Sequence, residues 1–151
     1  MIKLSRTVAY AIQATLQLAQ ADSNTPVPCS RLASQGGMPE RFLLQILRNL
    51  VTHGILQSTR GVEGGYTLVR RPADISILEV IEAIDGPLAS EPLVAAGLDE
   101  SAQKNLRSAL DGVASTAREQ LEAVKLSQII AESPSVPAAP VRANADSDIA
   151  P

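Results

Sequence analysis

The chain has 151 residues, 45% of them hydrophobic and 19% charged, which gives room for one ordinary domain with a real core and not for two. It has no 18-residue apolar run and no cationic stretch leading into an apolar block at Met1, so the reading is a cytoplasmic globular protein with no membrane partner. A single cysteine, Cys29, and a single histidine, His53, exclude an internal disulfide and a cysteine-based zinc or iron–sulfur site, so no metal and no cofactor are expected.

Three aromatic residues, Tyr10, Phe42 and Tyr66, are too few for the stacking platforms that hold single-stranded nucleic acid. The net charge of −3 is unevenly spread. Residues 1–75 carry eight basic side chains (Lys3, Arg6, Arg31, Arg41, Arg48, Arg60, Arg70 and Arg71) against four acidic ones, a balance of +4. The remainder carries five against twelve, a balance of −7. A polyanion is therefore drawn to one end of the chain and repelled by the other. The plainer alternative is that these arginines only solvate a surface.

Leu4, Val8, Ala11, Ile12, Leu16 and Ala19 recur at helical spacing behind Ser5, a residue suited to capping, and predict one helix that ends before Asp22. Pro28 opens a second, short helix from Cys29 to about Ser34, stopped by Gly36-Gly37. A third begins at Met38-Pro39-Glu40. Its stripe of Phe42, Leu43, Ile46, Leu47 and Leu50 runs to His53-Gly54, so the pair reads as a helix-turn-helix. The period then changes. Ile55–Thr59 and Tyr66–Val69 are β-type runs around the glycine-rich Arg60–Gly65, a hairpin signal, and Pro72 closes the second strand. Ser76, with Glu79 three residues on, starts a helix that reaches Gly86-Pro87.

The fold class expected is mainly α with a small β-wing, α+β in type: a winged helix-turn-helix over 1–87. A connector and long helix fill 88–132. From Leu106 the positions Leu110, Val113, Ala117, Leu121 and Val124 hold a helical period, with Ile129 and Ile130 near its end. A single apolar stripe with no following domain asks for a second copy across a two-fold axis, hence a homodimer; folding back on the winged domain is the alternative. Residues 133–151 hold four prolines in nineteen residues and are expected to form a disordered tail.

The glycines at 61–65 do not make a phosphate loop, because a strand and not a helix follows them. Arg60, at a thin hairpin tip, suits a narrow minor groove or remains a solvated turn arginine. On the third helix, opposite the stripe, Arg41, Leu44 and Gln45 suit base edges, arginine for guanine, glutamine for adenine and an aliphatic for the thymine methyl. Arg48, a turn later, suits phosphate. Leu44 also reads as core. Glu79, Glu82 and Asp85 bunch without a histidine beside them, so no catalytic residues and no enzyme activity are expected. Cys29, at a helix start, is either a small hydrophobe or a reactive thiol sensor.

Five stretches carry a resemblance: Leu4–Ala11, the helix with Leu32-Ala33, Phe42–Leu50, Ser58–Leu68 and Glu79–Gly86 are similar to the Rrf2 family of bacterial transcription regulators. The likeness covers residues 1–87. It implies a dimeric winged-helix binder of double-stranded DNA, a recognition helix at Pro39–His53, a wing arginine at Arg60 and a dimerisation helix near Leu106–Ile130. Cluster-sensing members carry three cysteines between the Ile-Asp-Gly block and the long helix, and Leu88–Asn105 has none here. The expected function is a cluster-free repressor on a pseudo-palindromic promoter site, answering to an unidentified effector or protein partner. The competing reading is a winged-helix module that docks protein and not DNA.

Overall fold

Residues 3–89 and 96–131 are described by a computed structural model of the chain. Helix α1 (Arg6–Gln20) starts where the Ser5 hydroxyl accepts from the Val8 amide at 3.2 Å, satisfying one of the amides that a helix start leaves without a partner. Val8, Ala11, Ala14, Thr15 and Leu18 form its buried face, and α1 is the post against which most other elements pack. Thr15 keeps its hydroxyl satisfied by donating to the Ile12 carbonyl at 2.8 Å.

Helix α2 (Cys29–Gly36) follows Pro28 and ends at Gly37, whose φ of +62° is the left-handed conformation that turns the chain at once into α3 (Glu40–Thr52). Met38, buried in that turn, and Leu43, Ile46, Leu47 and Leu50 of α3 fill the space over α1. The helix-turn-helix is as expected, with one correction. Phe42, assigned to the apolar stripe, is 44% exposed and meets Tyr10 of α1 edge to face, ring centres 5.9 Å apart.

Strands β1 (Leu56–Thr59) and β2 (Gly65–Leu68) pair antiparallel, with Leu56 opposite Leu68 and Thr59 opposite Gly65. This is the wing. Val27, in the loop between α1 and α2, exchanges both backbone hydrogen bonds with Tyr66, at 3.0 and 2.9 Å, and so anchors the wing to the helix-turn-helix. A Cβ on Gly65 would come within 2.4 Å of the Val27 carbonyl, so only glycine lets the two backbones meet.

After a short 3-10 turn at Pro72–Asp74, helix α4 (Ile77–Asp85) opens on a full capping box: Ser76 accepts from the Glu79 amide at 3.2 Å, and the Glu79 carboxylate accepts from the Ser76 amide at 2.9 Å. Burial pushes the Glu79 carboxyl up, but hydrogen bonds from Arg70 and Ser76 outweigh it and hold the group below its ordinary value.

The long helix departs from expectation at both ends. Helix α5 (Glu100–Ala123) starts six residues before Leu106, capped by Asp99, which accepts from the Ala102 amide at 2.7 Å. It stops at Val124, and a separate helix α6 (Leu126–Ala131) follows. Between them the chain is extended and pairs with the strand-like approach to α4: Ile77 donates to the Val124 carbonyl at 2.9 Å, and Leu126 donates to the Ile75 carbonyl at 3.0 Å. Leu126 is fully buried in the same core as Val8 and Leu47. The C-terminal end of the expected long helix thus folds back onto the winged domain, while α5 itself buries no residue completely. Among the described residues no helix is long and apolar enough to cross a membrane. The tail at 133–151 lies outside the described residues, as does the stretch 90–95 of the connector.

Leu126→Ala removes a fully buried side chain and is expected to destabilise the protein by about 2–5 kcal/mol, read as a lower urea midpoint with an unchanged slope. A loss below about 0.5 kcal/mol, the range of surface substitutions, would show that α6 is not part of the core.

Candidate nucleic-acid interface

Helix α3 divides into two faces. Leu43, Ile46, Leu47 and Leu50 are buried, while Arg41, Gln45 and Arg48 are exposed on the other side at spacings that form one row, with Leu44 half-buried beside them. Part of Leu44 therefore packs and part remains open. Gln45 makes only a 3.5 Å contact with the Asn49 side chain, at the limit of a hydrogen bond, so its amide is free to take a better partner. His53 closes the helix with Nδ1 2.8 Å from the Asn49 carbonyl oxygen, an end-of-helix contact.

Arg60 lies just beyond β1, and the turn after it is built from glycines: Gly61 has φ of +113°, and a Cβ on Gly64 would meet the Thr59 carbonyl at 2.3 Å. The tip is as tight as the sequence suggests, and it carries Val62 fully out into solvent, with Glu63 and Arg60 also exposed.

The basic residues of the first half fall into two groups, a division the sequence count could not show. Arg70 pairs with Glu79 and donates to the Asp74 carbonyl, Arg71 pairs with Asp74, and Arg118 on α5 pairs with Glu82. Lys3, Arg6, Arg31, Arg41, Arg48 and Arg60 are exposed and make no ion pair among the described residues. Two of the eight cations counted in the first half thus have a carboxylate partner, Arg71 at the surface. Those left include every basic residue of α3 and the wing tip. Arg31, on the exposed side of α2, was not singled out from the sequence; its signal is position, since the first helix of a helix-turn-helix crosses the phosphate backbone.

Tyr66 is the other residue sequence reasoning passed over. Half-buried on β2, it raises its phenol's pKa through burial and the nearby Cys29, partly offset by the Arg48 guanidinium. The phenol at the wing base thus responds to both the thiol of α2 and the Arg48 charge of α3. The Cys29 sulfur sits 3.7 Å from the Glu40 carbonyl oxygen, and burial followed by the Glu40 charge pushes the thiol up from its ordinary value. A helix start should lower it; here burial and the carboxylate win, which favours the small-hydrophobe reading over the reactive sensor.

The three acidic residues of α4 each have structural work. Glu79 completes the capping box, Glu82 accepts from the Leu88 amide at 3.0 Å and pairs with Arg118, and Asp85 accepts from the Ser5 hydroxyl at 3.4 Å. Among the described residues no three histidine, cysteine or acidic side chains gather as a metal site.

Residues 4–132 match Rrf2, described as an iron-dependent transcriptional regulator. The chain belongs to the Rrf2 family. It is 47% identical over 89 residues to a protein of Mycobacterium tuberculosis provisionally named an HTH-type transcriptional regulator, covering 59% of this chain and 55% of that one. The chain thus spans little more than half the length of the curated relatives it matches first. Among solved structures it resembles T. potens IscR, at 28% identity and a TM-score of 0.66 over 86% of this chain and 87% of that one. It also resembles a transcriptional regulator, so titled provisionally, from Listeria innocua, at 26% identity and a TM-score of 0.71 over 90% and 91%. These likenesses agree with the winged-helix fold built above. The donor set of this Rrf2 chain does not fit an iron–sulfur cluster: its one cysteine opens α2 against Glu40, and the segment between α4 and α5 has no thiol to offer.

Cys29 is expected to react with a disulfide reagent such as DTNB several-fold more slowly at neutral pH than an unstructured cysteine peptide, because less of it is thiolate. Glu40→Gln should speed the reaction by removing the neighbouring charge. Reaction faster than the peptide would overturn the assignment.

Proposed function

We propose that this Rrf2 chain is a sequence-specific DNA-binding transcriptional regulator, acting as a homodimer that represses by occupying a pseudo-palindromic promoter site without a cluster. The observation that carries the reading is the split among the arginines of the first half of the chain. Arg41, Arg48 and Arg60 remain exposed and unpaired on α3 and the wing, while Arg70, Arg71 and Arg118 each have a carboxylate partner within the chain. Unpaired guanidiniums on the recognition helix and the hairpin tip suit a polyanion with a groove on either side of its backbone. In this reading Arg41, Leu44 and Gln45 meet base edges, Arg48 and Arg31 meet phosphate, and Arg60 enters the minor groove.

The dimer is supported by α5. Leu106, Leu110, Ala117 and Leu121 are only half-buried along one stripe, and Val113 is 67% exposed. Full burial of a leucine-sized side chain is worth roughly 1.5–3 kcal/mol, and a second copy of the same stripe would recover for both chains the part of it that half-burial leaves in water. Two copies of α3 then address two half-sites one helical turn apart.

The two reading elements should respond differently to substitution. Arg60→Ala is expected to weaken binding to all DNA and flatten its salt dependence, whereas Gln45→Ala should cost about 1–3 kcal/mol per half-site on the preferred operator and little on unrelated DNA. Equal effects on specific and non-specific binding would remove α3 as the specificity element, and no effect of either would favour a protein-docking role.

Sedimentation should show a dimer at micromolar concentration. Val113→Lys, which places a charge on an exposed α5 position, should shift it toward monomer with an unchanged circular dichroism spectrum. A wild-type monomer would overturn the dimer.

A further inference from the structure

Between the end of α1 and strand β2 lies a cavity of about 420 Å³, within the range that holds a small organic ligand. Leu18 and Ala19 of α1 line one wall, and Tyr66 and Leu68 of β2 line the other. Its rim has Arg70 and Arg71 where the chain leaves β2, and Asp22 with two hydroxyl residues where the chain leaves α1. None of these residues takes part in the DNA-reading row of α3 or at the wing tip.

The rim selects the sign of the ligand. A guanidinium carries five N–H donors and no acceptor. Arg71 spends its Nε and one terminal nitrogen on Asp74, in a pair whose side chains are 81% and 47% exposed and therefore weak. Arg70 spends one N–H on the Asp74 carbonyl and one on Glu79, leaving the others. Asp22, the one acidic residue of the lining, already accepts through one oxygen from the Asn24 amide at 3.1 Å and through the other from the Thr25 hydroxyl at 3.4 Å. The mouth thus offers guanidinium N–H groups without a partner beside one carboxylate that is already engaged on both oxygens, over an apolar interior.

We propose that this cavity binds a small organic acid with an apolar body, its carboxylate taken by Arg71 and Arg70 and its body laid between Leu18, Ala19 and Leu68. A bidentate guanidinium–carboxylate contact fixes the orientation of such a ligand. Because α1 and β2 form the two walls, an occupant braces the base of the wing against the post on which the core is built. The site stands on this geometry and does not depend on the DNA-binding reading.

The test uses the full chain and three probes of one shape, 4-phenylbutyrate, 4-phenylbutyramide and 4-phenylbutylamine, with binding measured by titration calorimetry. The carboxylate is expected to bind at least tenfold more tightly than the amide, with no measurable binding of the amine. Arg71→Gln should weaken the carboxylate by about tenfold and leave the amide unchanged. Ala19→Leu, which fills the wall from a half-buried position, should weaken carboxylate and amide together, with the fold checked by circular dichroism. Equal binding of acid and amide, no binding of the acid at millimolar concentration, or binding untouched by both substitutions would overturn the proposal.

Discussion

The backbone pair between Val27 and Tyr66 is the constraint on which the reading surface depends. A two-stranded hairpin alone is marginally stable in water and has no fixed direction. Two hydrogen bonds to a loop that is itself clamped between α1 and α2 give it one. The pair forms only because residue 65 has no Cβ, so a single glycine sets the angle between the wing and the helix-turn-helix. Tyr66 then packs against the core, partly buried, and the hairpin is held to the loop that leads into α2.

The second organising feature is electrostatic. An excess of positive charge in half a chain says little until the internal ion pairs are removed from it. Here the pairs fall on residues that follow β2 and on α5, where they fasten the 3-10 turn, α4 and the long helix to one another. What is left over lies on α2, α3, the wing tip and the start of the chain. The charge that reaches outward is thereby concentrated without any increase in the number of arginines.

Local chemistry made much of this legible. Ser5, Pro28, Gly37, the Ser76–Glu79 box and the glycine hairpin each act within four residues or so, and each element they bound lies where the sequence put it. The errors came where a distant segment decided. Phe42 has the right spacing for the core, but Tyr10 meets it at the surface and not beneath. Nothing in the helical period of Leu121, Val124 and Ile129 marks a break, because the break is made by the backbone near Ser76, which captures Val124 and Leu126 from almost fifty residues away. Of the candidate site, the α3 row could be read from its spacing and its exposure. The sorting of the arginines into paired and unpaired could not, since it depends on which carboxylates the fold brings near.

That captured segment changes what counts as a portable unit. The winged helix-turn-helix ends in sequence near Gly86, yet a buried leucine and two backbone hydrogen bonds of its interior are delivered from beyond α5. A fusion protein that borrowed only the first 87 residues would carry an open seam along Ile75 and Ile77, and a cassette meant to be moved between proteins must include the return stretch through Ala131. Helix α5 is therefore bracketed by the winged domain at both of its ends in sequence, and α4, α5 and α6 belong with that domain as one folding unit.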